Sequence, residues 1–314
     1  MPMSSGDDGS GVRVRLEELI ALRLRARRLA RPALRVRGSN SATHASRFRG
    51  RGVDYVESRN YQPGDDIRQM DWRVTARTGR PHTKVFEEER EQSILLIVDA
   101  NPVMRFGTRV RFKSVQAARA AALAAWAAVQ GGDRIGALGF GPGLNAEVKP
   151  GGGPRGALRV LRALAEWDAI AAQGGAAVPL SQALLRMRRL ARPGCRVLLL
   201  SDGFSADAAA EAPLSLLAQH CDVAALLLTD PLERQAPAPG RYALRSEGTQ
   251  VVLDFANART RTHWPQLFAE RRQGFIDMLK RRGLGWTELD TAGEADAALA
   301  RLLGLSRAPL VRPA

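Results

Sequence analysis

The chain has 314 residues, of which 45% are hydrophobic and 25% are charged, and this globular composition excludes a fibrous or wholly disordered protein. The length indicates one large or two modest domains. The formal net charge is +15, which leaves a polyanionic partner open, although Arg residues on solvated faces explain the excess equally well.

The sequence has no stretch that predicts a membrane span or a secretory leader. Its longest apolar run, at 120–129, has ten residues, whereas a transmembrane helix needs roughly 20. The first residues are acidic and polar where a leader would be basic and then apolar. Cys195 and Cys221 show no metal-binding spacing, which favours reduced, buried thiols. We therefore expect a cytoplasmic protein, with peripheral association at the inner face of the membrane as the alternative.

The N-terminal region combines a loose tail with a basic helix. Residues 1–11 lack apolar periodicity and predict a flexible tail. Apolar residues then recur at helical spacing, in Leu16, Leu19, Ile20 and Leu24. Pro32 is expected to end this helix, and residues 11–51 hold twelve Arg against two Glu. We expect the helix to pack on its own domain, with an anionic membrane surface or a partner as alternatives.

A dense block of charged and aromatic residues follows. Pro63 and Gly64 predict a tight turn, after which Asp65 or Asp66 caps a short helix. The block is expected to be either a charge network at a domain junction, in which Arg68 pairs with Asp71, or a partner-docking surface, because Trp, Tyr and Arg dominate binding energy at interfaces. The candidate partner-binding residues are Arg59, Tyr61, Asp65, Asp66, Arg68, Asp71 and Trp72.

From residue 93 onward, short apolar runs alternate with helical stretches. This pattern predicts an α/β fold: a doubly wound, mostly parallel, Rossmann-like sheet, preceded by the N-terminal helix and the charged subdomain. The predicted strands are 94–98, 134–140, 196–200, 223–228 and 286–289. The predicted helices are 111–130, 157–167, 180–190, 213–220, 264–282 and 294–303. The predicted domains are therefore a tail at 1–11, a basic and charged region at 12–91, and an α/β domain at 92–310 with a hairpin insertion near 231–260.

Three predicted strands end in a carboxylate, at Asp99, Asp202 and Asp230. In an open α/β sheet, ligands bind beyond the carboxyl ends of the strands, near the point where strand order reverses. If their strands are neighbours, Asp99 and Asp202 can hold one hard cation or one basic group of a partner. The alternative is that each carboxylate caps the backbone that follows it. For Asp230, which precedes Pro231, the cap is expected.

Two groups of residues resemble known families. Asp99-Ala-Asn-Pro-Val103 is similar to the Asp-x-Ser-x-Ser motif of von Willebrand factor A domains, and Ser201-Asp-Gly203 is similar to their later acidic motif. The block ESRNYQPGDDIRQMDW at 57–72, with FEEE at 86–89, resembles the signature of the bacterial domain-of-unknown-function family number fifty-eight. The resemblance implies an A-type domain, a MoxR-type AAA+ ATPase as partner, and a role in the assembly or maturation of other protein complexes.

The resemblance to A domains also implies a divalent-cation site, but several ligand positions differ. A domains hold the ion with an Asp, two Ser hydroxyls, a Thr and a second acidic residue. In this chain the two Ser positions are Asn101 and Val103, and the Thr position is Ala176. Because Mg²⁺ requires near-octahedral oxygen ligands, we expect a remnant site of Asp99, Asn101 and Asp202 with weak or no affinity for Mg²⁺, and no other cofactor.

Motifs of common catalytic mechanisms are missing from the sequence. Residues 151–156 fit G-x-G-x-x-G, but the run before them is polar, so we expect a loop. There is no P-loop and no G-x-S-x-G elbow, so any ATP hydrolysis is assigned to a partner.

The sequence therefore predicts a non-enzymatic adaptor that works with a MoxR-type ATPase and a client protein. One alternative is a basic protein that binds nucleic acid or an anionic membrane, although 5% aromatic residues offer little for base stacking. The other is a metal-dependent hydrolase that uses Asp54, Asp65, Asp66 and Asp71.

Overall fold

The computed structural model describes residues 11–29, 35–37, 53–62, 67–89, 91–246 and 249–303. The chain forms two compact units, one of residues 1–31 and 92–314 and the other of residues 32–91. The N-terminal helical segment thus belongs to the larger unit, although its position in the sequence suggested a common region at 12–91 with the charged block. The physical reason is that its apolar residues pack into the core of the larger unit.

The larger unit begins with two short helices, α1 (Leu16–Ala21) and α2 (Arg23–Ala26). The smaller unit contains β1 (Arg35–Arg37), β2 (Val53–Asn60), α3 (Trp72–Thr78) and β3 (His82–Glu89). The larger unit then continues with β4 (Ser93–Asp99), α4 (Lys113–Gln130), β5 (Arg134–Gly141), β6 (Leu144–Gly152), α5 (Gly153–Ala171), α6 (Leu180–Leu190), β7 (Arg196–Ser201), α7 (Glu211–Ala218), β8 (Asp222–Thr229), α8 (Pro231–Arg234), β9 (Arg241–Ser246), β10 (Thr249–Asp254), α9 (Ala258–Lys280), β11 (Gly285–Asp290) and α10 (Ala295–Leu302).

The larger unit is built on a six-stranded sheet with the strand order β11-β8-β7-β4-β5-β6. Five strands are parallel, and β6 at the edge runs antiparallel to β5. The order reverses at β4, because β5 lies on one side of it and β7 on the other. The predicted doubly wound α/β fold and its five parallel strands are confirmed.

The sheet is covered on both faces, which explains the uninterrupted apolar runs of its central strands. In β4, Leu96 and Val98 belong to a core shared with α4, α5 and α10, whereas Leu95 and Ile97 belong to a core shared with α6, α7 and α9. Burial of each such aliphatic side chain contributes about 1.5–3 kcal/mol relative to an exposed position. Hydrophobic burial on both faces therefore holds the strand ends in fixed positions.

The N-terminal helices pack on the larger unit, as expected, but only Leu16 and Leu19 of the predicted apolar stripe face the core. The side chains that enter the core are Leu19, Leu22, Ala26 and Leu29. Trp126 of α4 also donates a hydrogen bond of 3.0 Å from Nε1 to the carbonyl oxygen of Leu19. Ile20 and Leu24 remain 39% and 69% exposed. The predicted stripe is shifted because the helix does not continue through Leu22, where α1 gives way to α2.

One local prediction needs correction and two are confirmed. The expected loop at 151–156 is wrong, because its first two glycines end β6 and α5 begins at Gly153. The polar run before it is an edge strand with alternate residues exposed. The predicted hairpin is confirmed by the antiparallel pair β9 and β10. Cys195 and Cys221 are buried, as expected, with their sulfur atoms 3.1 Å apart.

The smaller unit contains a three-stranded antiparallel sheet in the order β1-β3-β2, with α3 in the connection from β2 to β3. We predicted no strands here, because charged residues obscure the apolar alternation. None of the helices within the described parts of either unit combines the length and apolar character that crossing a bilayer requires.

Candidate functional site

The carboxyl ends of β4, β7 and β8 form one edge of the sheet at the point where strand order reverses. We call this edge, with Asp99, Asp202 and Asp230, the crest. Strands β4 and β7 are direct neighbours, with Val98 opposite Leu200, so Asp99 and Asp202 follow adjacent strands. All three carboxylates are buried, at 1%, 3% and 0% exposure respectively. Their hydrogen-bond partners therefore determine what the crest can do.

Asp99 is fully engaged by four hydrogen bonds from within the chain. Its Oδ1 accepts from the backbone N and the side-chain Nδ2 of Asn101, at 3.0 and 2.8 Å. Its Oδ2 accepts from the hydroxyls of Ser201 and Ser205, both at 2.7 Å. Burial, and then the charge of Asp202, raise the pKa of Asp99 from 3.8 to about 6, and these hydrogen bonds oppose the rise.

Asn101 connects the end of β4 to the segment before α6. Besides its bonds to Asp99, its Nδ2 donates to the carbonyl oxygen of Val178 at 3.0 Å, and its Oδ1 accepts from the backbone N of Val178 at 2.7 Å. Both polar atoms of the side chain are thus used. Asn101 closes the loop at residues 172–178 onto the crest, which is a structural role.

Asp202 forms an ion pair with a lysine that we did not predict. Its Oδ2 lies 2.6 Å from Nζ of Lys113, at the start of α4, and its Oδ1 accepts from the backbone N of Phe204 at 3.0 Å. The same Nζ lies 2.6 Å from Oε1 of Glu233 in α8. The side chain of Lys113 is completely buried. A single ammonium therefore joins elements that follow three different strands.

Asp230 performs the cap that its sequence position predicts. Its Oδ1 accepts from the backbone N of Leu232, and Oε2 of Glu233 accepts from the backbone N of Asp230, which completes a capping box. The Asp230 carboxylate also accepts from the backbone N and hydroxyl of Thr108 and from the hydroxyl of Thr291. It therefore holds the loop before α4 and the end of β11 against β8.

The crest residues do not fit a divalent cation. Asn101 offers a metal ion at most one lone pair of Oδ1, because that oxygen already accepts from the backbone N of Val178 and Nδ2 is a donor. The ammonium of Lys113 lies 2.6 Å from Oδ2 of Asp202, and its positive charge repels a divalent cation at that carboxylate. Nor do Asp99 and Asp202 offer an open carboxylate to a basic group of a partner, because both are buried and bonded internally.

The predicted partner-binding residues lie in the smaller unit. Asp71 is the N-cap of α3: its Oδ1 accepts from the backbone N of Val74 at 3.1 Å, and its Oδ2 accepts from the hydroxyl of Ser58 at 2.6 Å. We expected Arg68 and Asp71 to lie one turn apart on a single helix. Instead, Arg68 lies in the 3₁₀ turn that precedes α3.

The other partner-binding candidates differ in exposure. Trp72 is 65% exposed at the start of α3, and Arg68 is also exposed. Arg59 and Tyr61 are half-buried at and just after the end of β2. Asp65 and Asp66 lie outside the described residues, as does the side chain of Asp54 from the hydrolase alternative.

The raised pKa of Asp99 predicts a pH-dependent contribution to stability. The pKa of Asp99 is about 6 in the folded state and 3.8 in the unfolded state, so the folded state binds the proton more tightly. This proton therefore contributes to the free energy of unfolding in full below pH 3.8, and the contribution is lost as the pH rises through 6. Asp99→Asn cannot ionise. We expect its stability relative to wild type to rise by about 1 kcal/mol between pH 5 and pH 7.5. Urea unfolding at both pH values measures this, and a difference independent of pH would contradict it.

Comparison with known proteins places the chain among relatives of unknown function. Residues 57–274 match a family described as Protein of unknown function DUF58. Three uncharacterized proteins, from Mycobacterium bovis and two strains of Mycobacterium tuberculosis, are 33% identical over 213 residues, which cover 68% of this chain. The aligned stretch covers 66% of each relative, just under two thirds of its length.

Two solved structures align with this chain at low TM-scores. A conserved hypothetical protein BatB from Bacteroides thetaiotaomicron aligns with a TM-score of 0.43 and 15% identity, over 68% of this chain and 100% of its own. An uncharacterized membrane-spanning protein from Vibrio fischeri aligns with a TM-score of 0.23 and 14% identity, over 64% of this chain and 91% of its own.

Proposed function

This chain belongs to the DUF58 family, and we propose that it is a non-enzymatic adaptor that binds a MoxR-type AAA+ ATPase and brings a client protein to it. The observation that supports this most directly is the exposure of Trp72, at 65%. An exposed Trp in a protein–protein interface buries a large, rigid apolar surface at low entropic cost. The smaller unit is therefore the part of the chain that we assign to the ATPase.

The surface around Trp72 has the composition of a binding hot spot. Ile67, in the 3₁₀ turn that precedes α3, is 62% exposed. Arg68 and Arg73 directly follow Ile67 and Trp72 in sequence, and both arginines are exposed. We call Ile67, Arg68, Trp72 and Arg73 the Trp72 surface. An apolar centre with positive charge beside it favours a partner surface with an apolar pocket and an acidic rim.

The Trp72 surface is held in place by the local structure of α3. The N-cap bonds of Asp71 fix the first turn, where Trp72 lies. Gly79 ends the helix in the left-handed conformation, with φ of 70°, which a residue with a side chain adopts only with strain. A side chain whose backbone is already ordered loses less entropy on binding, which supports a docking role.

The larger unit supports an adaptor in a different way. Its crest carboxylates are hydrogen-bonded within the chain and hold loops and strand ends together, as a rigid scaffold requires. Four apolar residues of the N-terminal segment are buried in the core that α4 and α5 share, namely Leu19, Leu22, Ala26 and Leu29, and this favours the adaptor over the membrane alternative. A partner that uses ATP would place the protein in the cytoplasm.

Binding of the full chain to a purified MoxR-type ATPase from the same organism, followed by biolayer interferometry, tests the proposal. We expect Trp72→Ala to weaken binding by about 30-fold or more, because truncation of a hot-spot residue costs about 2 kcal/mol or more. Leu267→Ala is the matched control, because Leu267 is an apolar residue of the larger unit, in α9, that is 46% exposed. It should bind like wild type.

Two results would count against this assignment. Equal affinity of wild type and Trp72→Ala would remove the Trp72 surface from the interface. Failure of the wild type to bind the ATPase, together with salt-sensitive binding to DNA or anionic vesicles, would favour the basic-protein alternative, since phosphate contacts weaken steeply as salt rises.

A further inference from the structure

The crest contains a complete binding site for a positive charge, and the chain fills that site itself. Nζ of Lys113 lies 2.6 Å from Asp202 and 2.6 Å from Glu233, and the Lys113 side chain is 0% exposed. A buried ammonium is strongly unfavourable unless charged partners replace its water shell. Two carboxylates at this distance provide that replacement.

Aromatic rings complete the surroundings of the ammonium. Nζ of Lys113 lies 5.0 Å from the ring centroid of Phe204 and 5.8 Å from that of Phe106. The negative face of an aromatic ring attracts an ammonium, whereas it provides no oxygen ligand to a divalent metal ion. We call Asp202, Glu233, Phe106 and Phe204 the ammonium cage. Its chemistry suits an alkylammonium ion better than Mg²⁺.

We propose that the crest is an ammonium site with Lys113 as its permanent occupant, in the place of the divalent cation that the resemblance to A domains implies. The Lys113 side chain joins the start of α4 to the residue after β7 and to α8 after β8. It neutralises buried negative charge and fixes the relative positions of these elements. This inference does not depend on the proposed adaptor function.

The protonation of Lys113 is consistent with a permanent occupant. Burial alone lowers the pKa of its amine, but attraction to Asp202 and Glu233 outweighs burial and raises the pKa above its usual 10.5. The amine is therefore charged throughout the neutral range. The chain does not need to recruit a cation from solution to neutralise this part of the crest.

Chemical rescue tests the proposal. Lys113→Ala removes the atoms of n-propylammonium and leaves the cage without its occupant. We expect this variant to melt several degrees below wild type, and n-propylammonium chloride at tens of millimolar to raise its melting temperature while leaving wild type unchanged. MgCl₂ at equal ionic strength and the neutral analogue propan-1-ol should not restore it. If MgCl₂ restores the variant better than n-propylammonium, or if the variant is as stable as wild type, the proposal is overturned.

Two further measurements do not require Lys113→Ala to fold. Glu233→Gln leaves Lys113 with one ionised partner. We expect it to lower the melting temperature less than the double variant that combines Asp202→Asn with Glu233→Gln. Equal melting temperatures for the single and double variants and wild type would contradict the cage. In a titration with Mn²⁺, we expect wild type to show no binding site of micromolar affinity at the crest. A micromolar site that is present in wild type and absent in Asp202→Asn would identify the crest as a divalent-cation site instead.

Discussion

Asp230→Ala is expected to lower the free energy of unfolding by about 4 kcal/mol, because it removes a buried acceptor that several donors share. The Asp230 carboxylate accepts from the hydroxyl of Thr108 and that of Thr291, both at 2.7 Å. It also accepts from the backbone N of Thr108 and that of Leu232, both at 3.0 Å. Donors left without a partner in a buried site each cost about 1–3 kcal/mol, and relaxation recovers part of that sum.

The variant Asp230→Asn separates the hydrogen bonds from the charge. It keeps the shape and one acceptor oxygen, so we expect about half the loss of Asp230→Ala. Chemical unfolding followed by far-ultraviolet circular dichroism measures all three proteins. A loss below about 1 kcal/mol in Asp230→Ala would show that water or a rotated side chain replaces the carboxylate, and that the crest does not depend on it.

Trp126→Ala is expected to cost about 3–5 kcal/mol and to loosen the N-terminal segment from the larger unit. The Trp126 side chain is 2% exposed, and its Nε1 donates to the carbonyl oxygen of Leu19 at 3.0 Å. The guanidinium of Arg23 lies 5.4 Å from the centroid of its ring. Removing the indole leaves a cavity beneath α1 and α2, and both polar contacts are lost with it.

Limited proteolysis measures the second effect. The segment around α1 and α2 is rich in Arg, so trypsin should cleave it faster in Trp126→Ala than in wild type. Trp126→Phe is the matched control, because it keeps a buried six-membered ring and loses the hydrogen bond and part of the ring volume, at a cost of about 1–2 kcal/mol. Equal cleavage rates for wild type and Trp126→Ala would show that Trp126 does not hold the segment.

The strands of the larger unit were predictable where both of their faces are buried. The run of apolar residues in β4 has no alternation, because helices cover each side of the sheet. The edge strand β6 has the opposite property, since residues such as Glu147 and Lys149 alternate with more buried positions. From the sequence alone, the polar composition of β6 is typical of a loop. The same ambiguity hid β2 and β3 in the charged block.

The crest was predictable only in part. The position of Asp99 and Asp202 after apolar strands indicated that they lie together, and the Asp-Pro pair at Asp230 indicated a cap. Lys113 could not be paired with its partners, because it is 89 residues from Asp202 and 120 from Glu233 in sequence. One signal was available: it is one of only four lysines in a chain with 47 basic residues.

The amino-acid sequence by itself determined the family, the doubly wound α/β architecture and the place of the carboxylates at strand ends, because apolar periodicity and local motifs are properties of neighbouring residues. Only the tertiary structure decided which charges meet at the crest, that the side chain of Lys113 neutralises them from within, and that Trp72 is left exposed. These outcomes depend on the order of the strands and on packing between distant segments, and neither is a property of any short stretch of chain.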